Sequence, residues 1–474
     1  MNREDLYRAI GQTDEEMLER TEKNKHRRKK PWWMGAAAAV LIVAMVGGIL
    51  LHQGGNTLVT TAYAIKEATY PEMASYPDEG SINFDQQYEA WQASVRAQQQ
   101  PEGYADGLET FFADSIRQFL SGEEGENKAY SPLNVYMALG MLAELTQGSS
   151  QQQILDVLGV DSIEALRHQA NAVWNGQYRN DGATTSILAS SLWLNEDVSF
   201  VSETMERLAD TYYASSYQGE MGSDSFNQAL QNWVNQQTGG LLEDQVQGLT
   251  LDKETILALA TTVYYQAKWS SSFLEERTAP EVFHAPSDDV TCDFMHSDTM
   301  DTYYWADQFS AVSRPLENEG GTMWFLLPDE GVSVQELLQD DETMKFLLSK
   351  GEWENSKYLK IHLSLPKFDI SSQMDLCEGL RALGVTNIFY PKISDFSPMT
   401  TDKDNISLSQ ANHGVRVAID EEGVTAAAYT AMSMSGAGAP SEDEMDFILD
   451  RPFLFAITSS DGLPLFVGSV YQPV

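Results

Sequence analysis

The chain has 474 residues, of which 42% are apolar, and its ten tryptophans and twenty tyrosines allow a sizeable core, which excludes global disorder. Its 70 acidic residues outnumber its 30 lysines and arginines, so the formal net charge is −40. A surface this acidic repels phosphate and sulfate groups, so neither nucleic acid nor heparin is expected as a partner. Acidity also suits cationic partners, but it more often keeps an exported protein soluble.

The first 51 residues have the pattern of a membrane anchor. The basic stretch KNKHRRKKPWW precedes residues 34–51, which carry no charge and would span about 27 Å as a helix. The positive-inside rule places the basic tail, residues 1–33, in the cytoplasm and the following chain outside the cell. The alternative is a signal peptide cleaved near Ala64, after the motif AYA, which would release a secreted protein. Because the basic and apolar regions are both long for a signal peptide, the sequence favours a retained single-pass anchor.

Residues 52–106 are polar and contain GGN, YPEMASYPDEGS and RAQQQPEG. This composition is typical of an extended stalk, here predicted to be extracellular. The folded domain is predicted over residues 107–474, beginning near Leu108.

The body of the chain alternates between helical and strand patterns. Apolar residues at helical spacing predict helices in GLETFFADSIRQFL, SPLNVYMALGMLAEL, SFNQALQNWVNQQT and MDLCEGLRALG, the second of them capped by Ser131 and Pro132. Runs rich in β-branched and aromatic residues predict strands in TSILASSLWLN, ILALATTVYYQAKW, GTMWFLLPDEG and YLKIHLSLPKFDI. The sequence therefore predicts one mixed α/β (α+β) domain without internal repeats.

The chain lacks the usual motifs of enzymes, metal sites and cofactor sites. Its two cysteines, Cys292 and Cys377, are far apart, and there is no CxxC, HExxH, GxSxG or phosphate-binding glycine loop. We therefore expect no catalytic residues, no metal and no cofactor. The cysteines could form one disulfide, although two buried free thiols are the commoner arrangement.

Eight motifs follow one another in a fixed order: NKAYSPLNVYMALGML, NWVNQQTGGLL, TTVYYQAKW, WFLLPDEG, LSLPKFDI, LRALGVTNIF, GVRVAIDEEGVTAAAYTA and RPFLFAI. Over about residues 107–474 this series resembles the serpin family. The resemblance implies three β-sheets surrounded by about eight or nine helices, with an exposed reactive-centre loop. It also implies a monomeric, extracellular serine protease inhibitor rather than an enzyme, which the predicted anchor would hold on a bacterial-type cell envelope.

A long loop, EEGVTAAAYTAMSMSGAGAPSEDEMDF, joins two predicted strands near the C-terminus. From Val424 to Ala439 it has neither proline, which cannot donate inside a sheet, nor charge, which cannot be buried unpaired. The segment is therefore compatible with becoming an internal strand. A flexible surface loop that avoids bulk is the alternative.

The resemblance implies that a protease cuts this loop and that the freed hinge then inserts into the large sheet. Matching the motif residue by residue gives the hinge as Glu421, Glu422, Gly423, Val424, Thr425, Ala426, Ala427, Ala428, Tyr429 and Thr430. Counting seventeen residues from Glu421 puts the scissile bond between Ala437 and Gly438, with Met432, Met434 or Ser435 as alternatives to Ala437. An alanine at this place implies elastase-like targets, with subtilisin-like or papain-like proteases as alternatives.

Two residues of the hinge, together with Thr261 beneath the large sheet, leave a second function open. Val424 stands where the family usually has Thr or Ser, and Tyr429 is bulkier than usual. A non-inhibitory serpin, acting as a binding or adhesion module, is therefore the alternative.

The resemblance also implies two groups of residues that control insertion. In the breach, Lys367 pairs with Glu421 beside Trp269, although an ordinary strand-end lysine and a core tryptophan are the plainer interpretations. The shutter, beneath the large sheet, consists of the following residues: Ser131, Asn134, Thr261 and His413. Thr261 stands where the family usually has Asn, which removes one amide from this cluster.

Overall fold

The computed structural model describes residues 63–78, 80–122, 125–402, 404–424 and 443–473, except for the side chains of residues 244 and 245. The predicted tail, residues 1–33, and the predicted span, residues 34–51, lie outside these ranges. Within them, no helix combines the length and the apolar character needed to cross a bilayer. The described residues form one compact unit.

The described strands form two sheets. The first sheet has the order β1-β5-β4-β6-β14-β13-β12, with β3 paired to β4. Its strands are β1 (Ala64–Lys66), β3 (Arg179–Asn180), β4 (Thr185–Asn195), β5 (Ala214–Gly219), β6 (Leu257–Lys268), β12 (Phe368–Asp375), β13 (Ala411–Ile419) and β14 (Gly423–Val424).

The second sheet has the order β15-β11-β8-β9-β10-β16-β17-β2, with β7 paired to β8. Its strands are β2 (Lys128–Tyr130), β7 (Ala279–His284), β8 (Asp289–Trp305), β9 (Phe309–Leu316), β10 (Gly321–Pro328), β11 (Ser356–Pro366), β15 (Glu444–Ile448), β16 (Phe453–Thr458) and β17 (Pro464–Val470). The resemblance implied three sheets, but two of these are continuous with each other here. The 17-residue strand β8 connects them, because it pairs with β7 and β11 along most of its length and with β9 at its end.

Helices cover the sheets. The described α-helices are α1 (Phe84–Gln98), α2 (Glu109–Leu120), α3 (Pro132–Leu145), α4 (Gly148–Leu158), α5 (Ile163–Gln177), α6 (Ser202–Thr211), α7 (Asp224–Gln237), α8 (Glu243–Val246), α9 (Val334–Gln339), α10 (Asp341–Leu347) and α11 (Cys377–Leu383). All the helices and strands predicted from the sequence patterns are present. The run YLKIHLSLPKFDI divides at Lys367 into β11 and β12.

Helix α3 and helix α7 lie on the two faces of the first sheet. Every residue of α3 is buried, and the Ser131 side chain caps it by accepting a hydrogen bond from the Asn134 backbone N–H, as the Ser-Pro start predicted. Helix α7 packs Phe226 and Trp233 on Trp193 of the opposite face, in a separate apolar cluster.

Residues 63–106 differ from the extended stalk predicted for residues 52–106. Strand β1 pairs with the edge strand β5, Ala64 lying opposite Tyr217. Helix α1 buries Trp91, whose indole N–H donates to the Asp181 carboxylate at 2.8 Å. A polar composition concealed this packing, because a few aromatic side chains hold the segment to the domain. The first part of the predicted stalk, residues 52–62, lies outside the described residues.

Candidate functional site: the hinge and the cleft beside it

Two residues of the predicted hinge already lie in the first sheet. Val424 pairs with Ala267 of β6 on one side and with Ile419 of β13 on the other, and it is only 1% exposed. A Cβ atom on Gly423 would lie 2.3 Å from the Ala267 carbonyl oxygen, so only glycine allows this close approach. The short strand β14 therefore forms the beginning of an inserted strand.

A cleft in the backbone pairing follows β14. Strands β6 and β13 pair directly from Leu259–Ala411 to Thr262–Gly414, and the pairing then stops. Residues 263–266 of β6 and 415–418 of β13 lie between this direct pairing and the row of Val424. The sheet is thus closed at one end and holds the hinge at the other, with room for four residues between them.

The breach is built around Glu421. Its carboxylate receives the Lys367 ammonium at 2.6 Å and the Thr278 hydroxyl at 2.7 Å, so the predicted ion pair is present. Burial by itself would raise the pKa of Glu421, but the hydrogen bonds from Lys367 and Thr278 hold it below the usual value. Glu421 is therefore an ionised anchor for the start of the hinge.

Trp269 holds the same turn from the other side. Its side chain is fully buried, its indole N–H donates to the Asp420 carbonyl at 2.8 Å, and its backbone N–H donates to the Glu422 carbonyl at 2.9 Å. Trp269 is thus a core residue that also contacts the turn before the hinge strand, and its role in controlling insertion stays a prediction.

The sequence reasoning missed two residues of the breach. Asp420 accepts hydrogen bonds from the backbone N–H groups of Glu422 and Gly423 at 2.9 and 3.1 Å, an Asx turn that the sequence DEEG could have suggested. Thr278 meets Glu421 across 143 residues of chain, and no local signal predicts that contact.

The shutter residues meet at the closed end of the cleft. The Ser131 backbone N–H donates to His413 Nε2 at 3.1 Å, and His413 lies opposite Thr261 in the sheet. Burial lowers the pKa of His413 to about 3, so the ring is neutral and its second nitrogen, Nδ1, carries the proton. Within the described residues, this N–H, the Asn134 amide and the Thr261 hydroxyl have no hydrogen-bond partner. The predicted cluster is assembled but only partly hydrogen-bonded.

The rest of the predicted loop lies outside the described residues. This applies to Thr425, Ala426, Ala427, Ala428, Tyr429 and Thr430 of the hinge, and to the predicted scissile pair Ala437 and Gly438. Both cysteines are free and buried, and burial raises the thiol pKa to about 11 for Cys292 and about 12 for Cys377.

Comparison with known proteins agrees with this geometry. Residues 107–473 match the family model described as Serpin (serine protease inhibitor). The chain belongs to the serpin family. Plasminogen activator inhibitor 1 of Sus scrofa is 28% identical over 393 residues, which cover 78% of this chain and 93% of that protein.

Solved serpin structures have the same fold. The thermophilic serpin tengpin in its native state matches with a TM-score of 0.70 and 26% identity, covering 79% of this chain and 95% of tengpin. Thyroxine-binding globulin in complex with thyroxine matches with a TM-score of 0.66 and 22% identity, covering 77% of this chain and 98% of that one. The serpin fold predicted from the sequence is therefore confirmed, and serpins are generally protease inhibitors rather than enzymes.

Proposed function

We propose that this serpin inhibits extracellular serine proteases as a suicide substrate, with elastase-like enzymes as its targets and Ala437–Gly438 as the bond they attack. The protease serine would form an ester with the Ala437 carbonyl carbon, and the Gly438 amine would leave with a proton. Strand addition by the freed loop, as in serpins generally, would then outrun hydrolysis of the ester. The observation that carries the proposal is the burial of Val424 between β6 and β13, beside a stretch in which these two strands, among the described residues, do not pair directly with each other.

The register of Val424 indicates where each following residue would go. Continued antiparallel pairing puts Thr425 opposite Gln266 of β6 and Ala428 opposite Val263, so these four residues would fill the cleft. Core-facing positions in this part of the sheet are occupied by buried side chains such as Tyr265 and Val417. Small residues such as the alanines suit the space between them, because they add a strand with little steric cost.

Insertion beyond Ala428 would have a different cost. Tyr429 would come between Thr262 and Gly414, and Thr430 would come between Thr261 and His413. The direct pairs of β6 and β13 at these positions would therefore have to break. Within the described residues, the Thr261 hydroxyl and His413 Nδ1 have no hydrogen-bond partner, so parting the strands here would break no hydrogen bond of these two groups. The hydroxyl of Thr430 would arrive between them and offer a partner.

The alternative is a non-inhibitory binding or adhesion module, and the valine at 424 and the bulk of Tyr429 favour it. In a serpin that only binds, as thyroxine-binding globulin binds thyroxine, the loop would be cut without trapping the protease. Two observations weigh against this alternative. Val424 is accommodated within the sheet, and Tyr429 would meet Gly414, which has no side chain. We therefore favour inhibition.

We also propose that residues 34–51 anchor the protein in the membrane of a bacterial-type cell, with the serpin domain outside. Cleavage near Ala64 would sever β1, which pairs with β5, so a retained anchor fits the fold better than a signal peptide. Through successive strand pairs, Ala64 is level with Tyr217, Trp193 and Ala258. Ala258 lies about 30 Å along β6 from Ala267, the residue that pairs with Val424. The anchor would thus be attached at the end of the sheet remote from the hinge.

The experiment that tests inhibition mixes the full-length chain, purified in mild detergent, with an elastase and separates the products on a denaturing gel. A band at the summed mass is expected, together with a released C-terminal peptide whose mass identifies the scissile bond. Val424→Arg would place an unpaired charge inside the sheet and should abolish the complex while leaving cleavage. Val424→Thr, uncharged and β-branched, is the matched control and should keep it. A wild-type chain that is only clipped would favour the binding module instead.

A further inference from the structure

His362 lies at the base of the reactive loop, in a row of charged side chains that crosses three strands. It projects from β11, where Asp298 of β8 is its cross-strand neighbour and Glu444 of β15 is a diagonal neighbour. Its Nδ1 atom is 2.6 Å from the Asp298 carboxylate, and its Nε2 atom is 3.1 Å from the Glu444 carboxylate. One imidazole thus joins the middle of the sheet to its edge strand.

The edge strand β15 is the segment on which the loop ends. It begins at Glu444, pairs with β11 over five residues in parallel, and lies at the end of its sheet. Phe447 is buried, whereas Glu444 and Ile448 are exposed. Among the described residues, β11 is the only strand that pairs with β15, so β15 has backbone pairing on one side only.

Only the protonated form of His362 satisfies both neighbours. A neutral imidazole has one N–H donor and one lone pair, so one of the two carboxylates would face a lone pair. The hydrogen bonds from His362 to Asp298 and Glu444 raise the pKa of the histidine, and they lower the pKa values of both carboxyl groups. The charged form is therefore favoured in the folded chain.

The charges around His362 come from four elements. Asp298 also receives Arg277 at 2.9 Å, and Glu444 also receives Lys360 at 3.4 Å. Asp446 of β15 lies opposite His362 in the register. With three carboxylates against two other cations, the imidazolium supplies the third positive charge that balances the row.

We infer that His362 is a proton-dependent latch that holds β15, and with it the C-terminal stem of the reactive loop, to the second sheet. When the proton is lost, the bond to β15 or the bond to β8 is lost with it, and the edge strand opens more often. The stabilisation is complete below the pKa of a free histidine, about 6.5, and disappears as the pH rises through the higher pKa of the folded state. The identification of this segment as the stem of a reactive loop rests on the proposed function, but the latch itself does not require a target protease.

The row also touches the other stem of the loop. Arg277, which contacts Asp298, is followed directly by Thr278, which donates to Glu421 at the hinge. The same short segment thus contacts the side-chain networks at both ends of the loop.

Hydrogen–deuterium exchange of the full-length chain in detergent tests the latch. After correction for intrinsic exchange rates, the protection of amides 445–448 is expected to fall by about two- to fivefold between pH 5.5 and 8.5, the range for exposed ion pairs. His362→Gln should have low protection throughout and no pH dependence. His284→Gln is the matched control, because His284 also contacts an aspartate, Asp289 at 2.8 Å, but within the hairpin of β7 and β8.

Two results would overturn the inference: a pH dependence that persists in His362→Gln, or one that disappears in His284→Gln. Glu444→Gln gives a second check, since it removes the charge on β15 and should reduce the pH dependence. Because exchange is measured without a protease, an exchange result that refutes the latch would not bear on the proposed inhibition. Conversely, a chain that is only clipped by elastase could still have the latch.

Discussion

The shutter leads to a prediction about the buried hydroxyl group of Thr261. Thr261 is 4% exposed, and its Oγ1 atom has no hydrogen bond within the described residues. Valine has nearly the same shape, so Thr261→Val removes the buried hydroxyl without leaving a cavity. An unsatisfied buried polar group costs about 1–3 kcal/mol, so the variant should be more stable by up to that amount. For a unit of about 400 residues, this corresponds to an increase in Tm of about 1–3 °C.

The assay is thermal unfolding of the uncleaved protein followed by circular dichroism. Thr146→Val is the matched control, because the equally buried Thr146 hydroxyl donates to the Leu142 carbonyl at 2.7 Å. Loss of that bond should lower stability by about 0.5–1.5 kcal/mol. If Thr261→Val lowered Tm as Thr146→Val does, the Thr261 hydroxyl would have a partner, and the argument for a weakly closed shutter would be wrong.

Two further predictions concern the hinge and the N-terminal segment. Because the pKa of Glu421 is below the usual value of 4.5, its stabilisation of the hinge is complete above pH 4.5 and is lost as the pH falls through the lowered pKa. Acid titration followed by tryptophan fluorescence should detect this loss at Trp269. The Glu421→Gln variant should lack the transition. Trp91→Ala should lower the free energy of unfolding by about 3–5 kcal/mol, because Trp91 is 3% exposed. Tyr358→Ala, at a 61% exposed aromatic residue, is the control, and equal effects in thermal unfolding would refute the packing of this segment.

Some features of the site were predictable because they depend on neighbours along the chain. The strand predicted before the long loop is β13, where the apolar and polar residues of GVRVAI alternate and every second residue is buried. Ser131 and Pro132 predicted the start of α3. The family motifs also predicted the ion pair of Lys367 with Glu421, although its 2.6 Å geometry required the fold.

Local pattern predicted the strands beside the loop. It also predicted a loop able to insert, because an uncharged run of small residues without proline is compatible with a sheet whatever surrounds it. Only the tertiary structure decided that Val424 lies between β6 and β13, which buried groups lack partners within the described residues, and what holds β15. Ser131 and His413 are 282 residues apart, and His362 and Glu444 are 82 residues apart. Contacts over such distances depend on how the strands pack against one another. For the same reason, a polar segment that suggested a stalk could fold against the domain through Trp91, because its buried partner, Asp181, lies 90 residues away.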